Sequence, residues 1–259
     1  CFYEKDFTRF DRKKIDGIYS AFIKDLQITS LTEYEAGIKE KNISVAFSEP
    51  KLDNTLAEFL SKQGFSQLHI AEKEKEAHIT YFLNGGNDKP FHGEEWKIIP
   101  SPKVKTYDLM PQMATPQITD ELVKNIEMGA YDFYAINFAN PDMVGHTGVM
   151  EAAIKAVETV DRCVARLLEE VKKMNGIVVV TADHGNADEM FVEKNGKREV
   201  KTAHTLNKVP FIIVDYGYQN EYTMRTLPKA GLSHVAATLV NLLGYEKPED
   251  YDPSLIEFR

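Results

Sequence analysis

Five side chains in this 259-residue sequence combine the residue types and positions that divalent-metal chemistry uses. Asp183 and His184 stand in Thr181-Ala182-Asp183-His184-Gly185-Asn186-Ala187-Asp188, directly after the apolar run from Gly176 to Val180. Asp142 and His146 stand in Asn140-Pro141-Asp142-Met143-Val144-Gly145-His146, after a second apolar run, Phe133 to Phe138. His204 follows in Thr202-Ala203-His204-Thr205. Apolar runs of this kind read as buried parallel strands, and the C-terminal lip of such strands is where open α/β sheets place their chemistry.

Asp142 and His146 are four residues apart, next to Gly145 and Thr147-Gly148. If the following helix begins nearby, both side chains converge on one ion, and His204 completes a three-ligand set with an open coordination position. Asp183 and His184 are neighbours and would point to opposite faces of a regular strand. At a strand end the backbone turns and both can reach a cation. Mixed carboxylate and imidazole donors suit Mn²⁺ or Zn²⁺ better than Ca²⁺, which prefers oxygen alone. Two such ions, about 3.5–4 Å apart or somewhat more, clamp the attacking and leaving oxygens of a phosphoryl group and lower the pKa of a hydroxyl nucleophile. Lys75, in Ala71-Glu72-Lys73-Glu74-Lys75-Glu76, follows another strand and could neutralise a phosphoryl oxygen.

Each group has a plainer reading. A lone Asp-His pair among seven histidines is more often structural than metal-binding. A charge run like the one around Lys75 is usually a solvated face. His69 reads as a strand residue, and spacing offers His78, His92 and His234 no partner. The three metal-type groups taken together, each in a loop or just beyond an apolar run, are hard to explain as packing.

The elements needed to position these groups are visible as periodicity. Strands are expected at Ile43–Phe47, Gln67–Ala71, Phe133–Phe138, Ile177–Val180 and Val209–Val214. Helices are expected over Leu52–Gln63, Ala77–Leu83, Pro116–Met128, Val149–Met174 and Ser233–Leu243, the last capped by Ser233 and stopped by Gly244. Asn87 to Pro102 reads as turn-rich, with Pro90, Gly93 and Pro100. Strands that alternate with helices and are apolar throughout argue for a mainly parallel sheet with helices on both faces. Residues 1 to about 46 are charged and mixed, with one candidate strand at Leu26–Thr32, and hold too little apolar surface for a core of their own.

The net charge of −9 argues against non-specific nucleic-acid binding. No apolar run approaches the roughly 20 residues of a membrane span, and no signal peptide is visible. Two cysteines make no disulfide framework, so a reducing cytoplasm is expected, with Cys163 a small core residue of a helix. A chain that begins Cys1-Phe2-Tyr3 without Met reads as part of a longer protein.

Three long motifs carry a family resemblance: Asn137 to Gly148, Thr181 to Met190, and Ala71 to Gly86 with its ending Asn84-Gly85-Gly86. Pro100-Ser101-Pro102-Lys103-Val104-Lys105-Thr106-Tyr107-Asp108 and Gly231 to Thr238 agree with them. Together they resemble the cofactor-independent (2,3-bisphosphoglycerate-independent) phosphoglycerate mutases, within the alkaline phosphatase superfamily, from about Phe7 to the C-terminus. The resemblance implies a phosphatase-like domain with two Mn²⁺ ions (Mg²⁺ or Co²⁺ in some members), no 2,3-bisphosphoglycerate, and a serine nucleophile. It also implies a transferase domain that holds the glyceric acid. By motif match Asp142, His146 and His204 hold one metal, Asp183 and His184 the other, and Lys75 contacts the phosphoryl group.

The family's serine, one further aspartate ligand and its substrate-binding arginines have no counterpart among these residues. Ser48 follows a strand but matches no nucleophile motif. The expectation is therefore an incomplete alkaline phosphatase-like α/β domain, residues 47–259, lacking its N-terminal segment and preceded by a transferase remnant, residues 1–46. The intact protein would be a cytoplasmic monomer that takes phosphoglycerate as a small-molecule substrate. Another metal-dependent phosphohydrolase or phosphomutase of the same superfamily, or a non-catalytic metal-binding scaffold, are the alternatives.

Overall fold

The computed structural model describes residues 14–15, 18–19, 27–32, 43–47 and 52–259 except Thr202. It divides into two compact units, Cys1–Lys51 and Leu52–Arg259. In the first, Lys14–Ile15 (β1) pairs antiparallel with Ile18–Tyr19 (β2), and Ile28–Ser30 (β3) pairs in parallel with Ile43–Val45 (β4). The expected strands at Leu26–Thr32 and Ile43–Phe47 are these two cores, and most of the remaining stretch to residue 46 lies outside the described residues.

The second unit begins with a capped helix, α1 (Leu56–Lys62). Asn54 N donates to Glu58 Oε2 at 2.6 Å, which satisfies a backbone group at the helix start. Gly64, at φ +83°, ends the turn beyond the helix. The next strand, β5 (Gln67–Glu72), is buried at every residue. Successive strand side chains point to opposite faces, so both faces are covered. On one face Leu68 and Ile70 pack with Ile118, Leu122 and Ile126 of α2 (Thr115–Glu127) and Leu167 of α4 (Met150–Lys173). On the other, Gln67 Nε2 donates to Ala57 O of α1 at 2.9 Å, and His69 Nδ1 lies 3.0 Å from Ile79 O. Helices on both faces of parallel strands are what the alternating pattern requires.

β5 is the centre of a three-stranded parallel sheet in the order β6-β5-β7, with β6 at Glu94–Ile99 and β7 at Phe133–Ile136. β6 corrects the turn-rich reading of Asn87–Pro102. Its polar beginning hid it, because Glu94 is buried and its carboxylate accepts from Asn84 Nδ2 at 2.9 Å, Phe91 N at 2.7 Å and Trp96 Nε1. After β7 come α3 (Asn140–Gly145), α4 and β8 (Ile177–Thr181). α3, α4 and the loops around them enclose a second core of Met113, Ala139, Val144, Ala152, Ala153, Ala156 and Met190.

Further departures follow β8. Phe191–Lys194 (β9) and Lys197–Val200 (β10) form a hairpin, and Asn195 and Gly196 both take positive φ as a two-residue turn demands. Phe211–Asp215 (β11), expected to continue a parallel sheet, pairs antiparallel with β8, so the parallel character is carried by the strands before it. Tyr222–Met224 (β12) pairs with the C-terminal Ile256–Phe258 (β13). The last helix, α5 (Val235–Leu242), is entered through a 3₁₀ turn at Leu232–His234, so Ser233 lies in that turn and does not cap α5. No helix among the described residues is long and apolar enough to cross a membrane.

His69 makes one prediction testable in solution. Burial holds its imidazole below its ordinary value of 6.5, partly offset by Glu94 and by the carbonyl of Ile79. The neutral ring suits the site, since its Nε2 is buried without a partner and a proton there would have no acceptor. Below pH 6.5 the unfolded chain binds this proton more readily than the folded one. The stabilisation is therefore complete above 6.5 and is lost as pH falls through the folded value. His69→Gln should flatten the loss of stability between pH 7.5 and 5.5 in urea melts, and a variant that keeps the wild-type slope would refute this.

Candidate metal centre

The site is built from three connections. β5 ends at Glu72 and turns into a 3₁₀ turn, Lys73–Lys75, followed by a π-helical turn, His78–Phe82. Thr80 Oγ1 donates to Glu76 O at 2.7 Å within this segment, and π turns of this kind recur at functional sites. The 3₁₀ turn is anchored by buried Glu72, whose carboxylate accepts from Ser101 Oγ at 2.8 Å and Ala114 N at 3.3 Å. Burial raises the Glu72 carboxyl above its usual range, and the Ser101 and Ala114 hydrogen bonds pull it partly back. Tyr107 OH donates to Glu74 Oε1 at 2.7 Å. Burial first, then that bond and charge, push the Tyr107 phenol up to about 12.

This scaffold makes Lys75 a buried residue, 5% exposed, in place of the solvated charge its sequence suggested. Its Nζ donates to Asp142 Oδ2 at 2.5 Å. Asp142 comes from the first turn of α3, where Pro141 sits at a position that needs no amide hydrogen. Buried Asn140 anchors the helix start, its Nδ2 donating to Pro111 O at 2.8 Å. One turn later, His146 at the α3 C-cap shares the face of Asp142. His146 Nε2 lies 3.0 Å from Asp142 Oδ1. His204 Nε2 lies 3.2 Å from the same oxygen and 3.1 Å from His146 Nε2. Burial by itself would raise the Asp142 carboxyl, but Lys75, Asn186 and His146 outweigh it and hold it below the usual carboxylate value.

The third connection brings in Asp183 and His184. Gly185 and Thr205 form an antiparallel backbone bridge, with Thr205 N donating to Gly185 O at 2.8 Å, which brings the segments of His184 and His204 together. The rings of His184 and His204 stack with centroids 3.6 Å apart and planes 11° apart. Asp183 Oδ2 lies 3.6 Å from His184 Nε2, and its side chain is half exposed. All five sequence-assigned metal candidates and Lys75 are thus linked into one constellation. Among the described residues, Asp142, His146 and His204 form a group of three donors within 4.8 Å of one another.

The donor set suits a divalent cation. Ligand atoms about 2.0–2.2 Å from a metal stand roughly 3 Å from one another at adjacent coordination positions, which is the spacing of these three atoms. Two imidazole nitrogens and a carboxylate oxygen facing one centre present lone pairs that repel unless a cation or a proton lies between them. At the other set, His184 Nδ1 is buried with no hydrogen-bond partner.

Spacing assigned no role to three residues that adjoin the cluster, and it left His78 with a structural reading. His78 stands three residues after Lys75, a helical-turn spacing that could have flagged it. Burial, then the Lys75 charge, hold its imidazole below the usual value, and Asp183 and Asp142 oppose this. Asn186 Nδ2 donates to Asp142 Oδ1 at 2.6 Å. Asp188 Oδ2 accepts from Thr205 Oγ1 at 3.0 Å and Asn207 Nδ2 at 2.6 Å, bracing the bridge that carries His204. The structural readings of His69 and His234 hold. His234 Nδ1 lies 2.7 Å from Pro253 O and its Nε2 lies 3.1 Å from Lys229 O.

A mixed α/β domain that gathers carboxylate and imidazole donors just beyond its strands has the composition expected of a metalloenzyme domain. The chain belongs to the Metalloenzyme superfamily, whose family model matches residues 11–247. The resemblance drawn from the motifs is borne out. The chain is 45% identical over 250 residues to a 2,3-bisphosphoglycerate-independent phosphoglycerate mutase of Methanosarcina acetivorans, covering 96% of the chain and 45% of that protein. It is 46% identical over 248 residues to the Pseudomonas putida protein of the same name, again covering 96% and 45%. A crystal structure of Leishmania mexicana phosphoglycerate mutase at low cobalt concentration superposes with a TM-score of 0.82 at 37% identity, covering all of this chain and 47% of that one. The chain therefore spans slightly less than half the length of these relatives.

Proposed function

We propose that this chain supplies the metal-binding part of a cofactor-independent phosphoglycerate mutase, which interconverts 3-phosphoglycerate and 2-phosphoglycerate through a phosphoserine intermediate. The observation that carries the reading is Asp142, one carboxylate shared by His146, His204 and Lys75, in a chain about 45% identical to enzymes of that name. In this reading Asp142, His146 and His204 hold one divalent cation, and Asp183 and His184 hold a second. Both are Mn²⁺, with Mg²⁺ or Co²⁺ as substitutes, and 2,3-bisphosphoglycerate is not required. When bound, the cations supply positive charge that acidifies a serine hydroxyl and screens phosphoryl oxygens.

The chain's own residues do the rest. Lys75 brings a buried ammonium to the edge of the cluster, where it offers hydrogen bonds to a phosphoryl oxygen. Its burial, at 5% exposed, keeps bulk water from screening that contact. The serine, a further aspartate ligand and the residues that hold the glycerate come from outside these 259 residues. In this reading residues 1–46 are a remnant of the transferase domain and its linker, and 47–259 form a phosphatase-like domain lacking its N-terminal segment. The whole protein acts as a cytoplasmic monomer on its small-molecule substrate.

The purified 259-residue chain loaded with Mn²⁺ should bind the ion and show no conversion of 3-phosphoglycerate, because positioning without a nucleophile gives little. Joined to the missing portion it should turn over. Turnover by the chain alone would overturn the division of labour. General phosphate-monoester hydrolysis by the joined protein, without isomerisation, would favour a phosphohydrolase of the same superfamily. A joined protein that bound Mn²⁺ but did neither would be a scaffold.

A further inference from the structure

Asp142 is gripped on a third side by Asn186. The Asn186 amide donates from Nδ2 to Asp142 Oδ1 at 2.6 Å, and the same nitrogen lies 3.3 Å from Asp142 O. An ionised carboxylate only accepts hydrogen bonds, so the amide must turn its NH₂ toward Asp142 and its oxygen away. That oxygen points at Gly145. A Cβ at residue 145 would stand 2.3 Å from Asn186 Oδ1 and 3.1 Å from its Cγ. Asn186 is 6% exposed. It lies two residues after His184 and reaches across to α3, seated between Asp142 and the residue before His146.

We propose that Asn186 is a positioning residue, which fixes the rotamer of Asp142 so that Oδ1 faces His146 and His204 while Oδ2 faces Lys75. Gly145 is glycine because it seats the Asn186 amide. The inference rests on the metal-binding reading above. A carboxylate on a short side chain has two torsions to explore, and its strongest local partner is the Lys75 ammonium at 2.5 Å. Without the amide, only the two imidazoles remain on the Oδ1 side, and Asp142 is freer to rotate both oxygens toward that lysine. Because Asn186 belongs to the segment of Asp183 and His184, the same hydrogen bond ties the geometry of one ligand set to that of the other.

The test uses Mn²⁺ titration calorimetry and the visible absorption of bound Co²⁺ on the 259-residue chain, in the wild type, Asn186→Ala, Gly145→Ala and the double variant. Hydrogen-bond partners of metal ligands typically change affinity about 10–100-fold. Each single variant should lose Mn²⁺ affinity by a factor in that range and shift the Co²⁺ bands, which a mere loss of packing would leave in place. The double variant should bind no worse than Asn186→Ala, since a methyl at 145 then has no amide to displace. Single variants with wild-type affinity and spectrum, or losses that add in the double variant, would overturn the proposal. If Asn186→Ala does not fold, Asn186→Ser keeps the small polar character and carries the same expectation. A wild type that binds no Mn²⁺ would end the metal-site reading and this inference with it. A wild type that binds, with variants that bind equally well, would end only the inference.

Discussion

Asp142→Ala should remove high-affinity Mn²⁺ binding from this chain and destabilise it even without metal. One carboxylate meets Lys75 at 2.5 Å, His146 at 3.0 Å, His204 at 3.2 Å and Asn186 at 2.6 Å, so its loss touches every part of the three-donor group. The two histidines alone leave a weak two-nitrogen site. The Lys75 side chain is 6% exposed and that of Asp142 13%. Breaking a buried pair by removing one partner costs about 3–5 kcal/mol, because the other charge stays buried and uncompensated. The small residual exposure here lowers the expectation to about 2–4 kcal/mol. Asp183→Ala makes the contrast, since its side chain is 52% exposed and its neighbour is His184 at 3.6 Å. It should cost well under about 1 kcal/mol in the metal-free chain, as exposed substitutions do, and weaken Mn²⁺ binding less than Asp142→Ala. Calorimetric titration and urea midpoints measure both effects. Equal losses of affinity from the two substitutions would contradict the order of the sites.

The second large effect is expected from Gly185→Ala. A Cβ there would stand 2.1 Å from Thr205 Oγ1 and 2.6 Å from Asp188 Oδ1, well inside van der Waals contact. Relief requires breaking the Thr205–Asp188 hydrogen bond or opening the Gly185–Thr205 bridge. Overpacking costs about 1–3 kcal/mol and a lost hydrogen bond about 1 kcal/mol more, so about 2–4 kcal/mol of stability should disappear. His184 and His204 each adjoin a residue of the bridge, so both ligand sets should lose Mn²⁺ affinity together. Gly231→Ala is the control, because a Cβ there meets nothing within 4 Å. A Gly185→Ala chain with wild-type midpoint and wild-type Mn²⁺ affinity would show that the bridge does not assemble the site.

The strands and helices legible in the sequence alone are those with undiluted periodicity. The 24-residue α4 lies within a residue of its expected ends, and β5, β7 and β8 within two, because a buried face leaves its period in the apolar residues. β6 was missed because its burial is partly polar, with Glu94 satisfied by Asn84, Phe91 and Trp96, partners that no local pattern announces. The β9–β10 hairpin carried its signal in Asn195-Gly196, a pair that supplies two positive φ angles. The antiparallel direction of β11 has no such signal, since a run of apolar residues reads the same for either orientation.

The site divides along the same line. Residue chemistry and adjacency to strand ends are local properties, so Asp142, His146, Asp183, His184 and His204 could be singled out as metal candidates, and the family motifs around them recognised, from the amino-acid sequence. Spacing could not show that Lys75 is buried, that it pairs with a carboxylate 67 positions away, or that His184 stacks on His204. Distances between remote segments depend on chain crossings, which only the packed sheet and its loops establish. The roles of Asn186, Gly145 and Gly185 are of that second kind, because each is defined by what stands a few ångströms away in another segment.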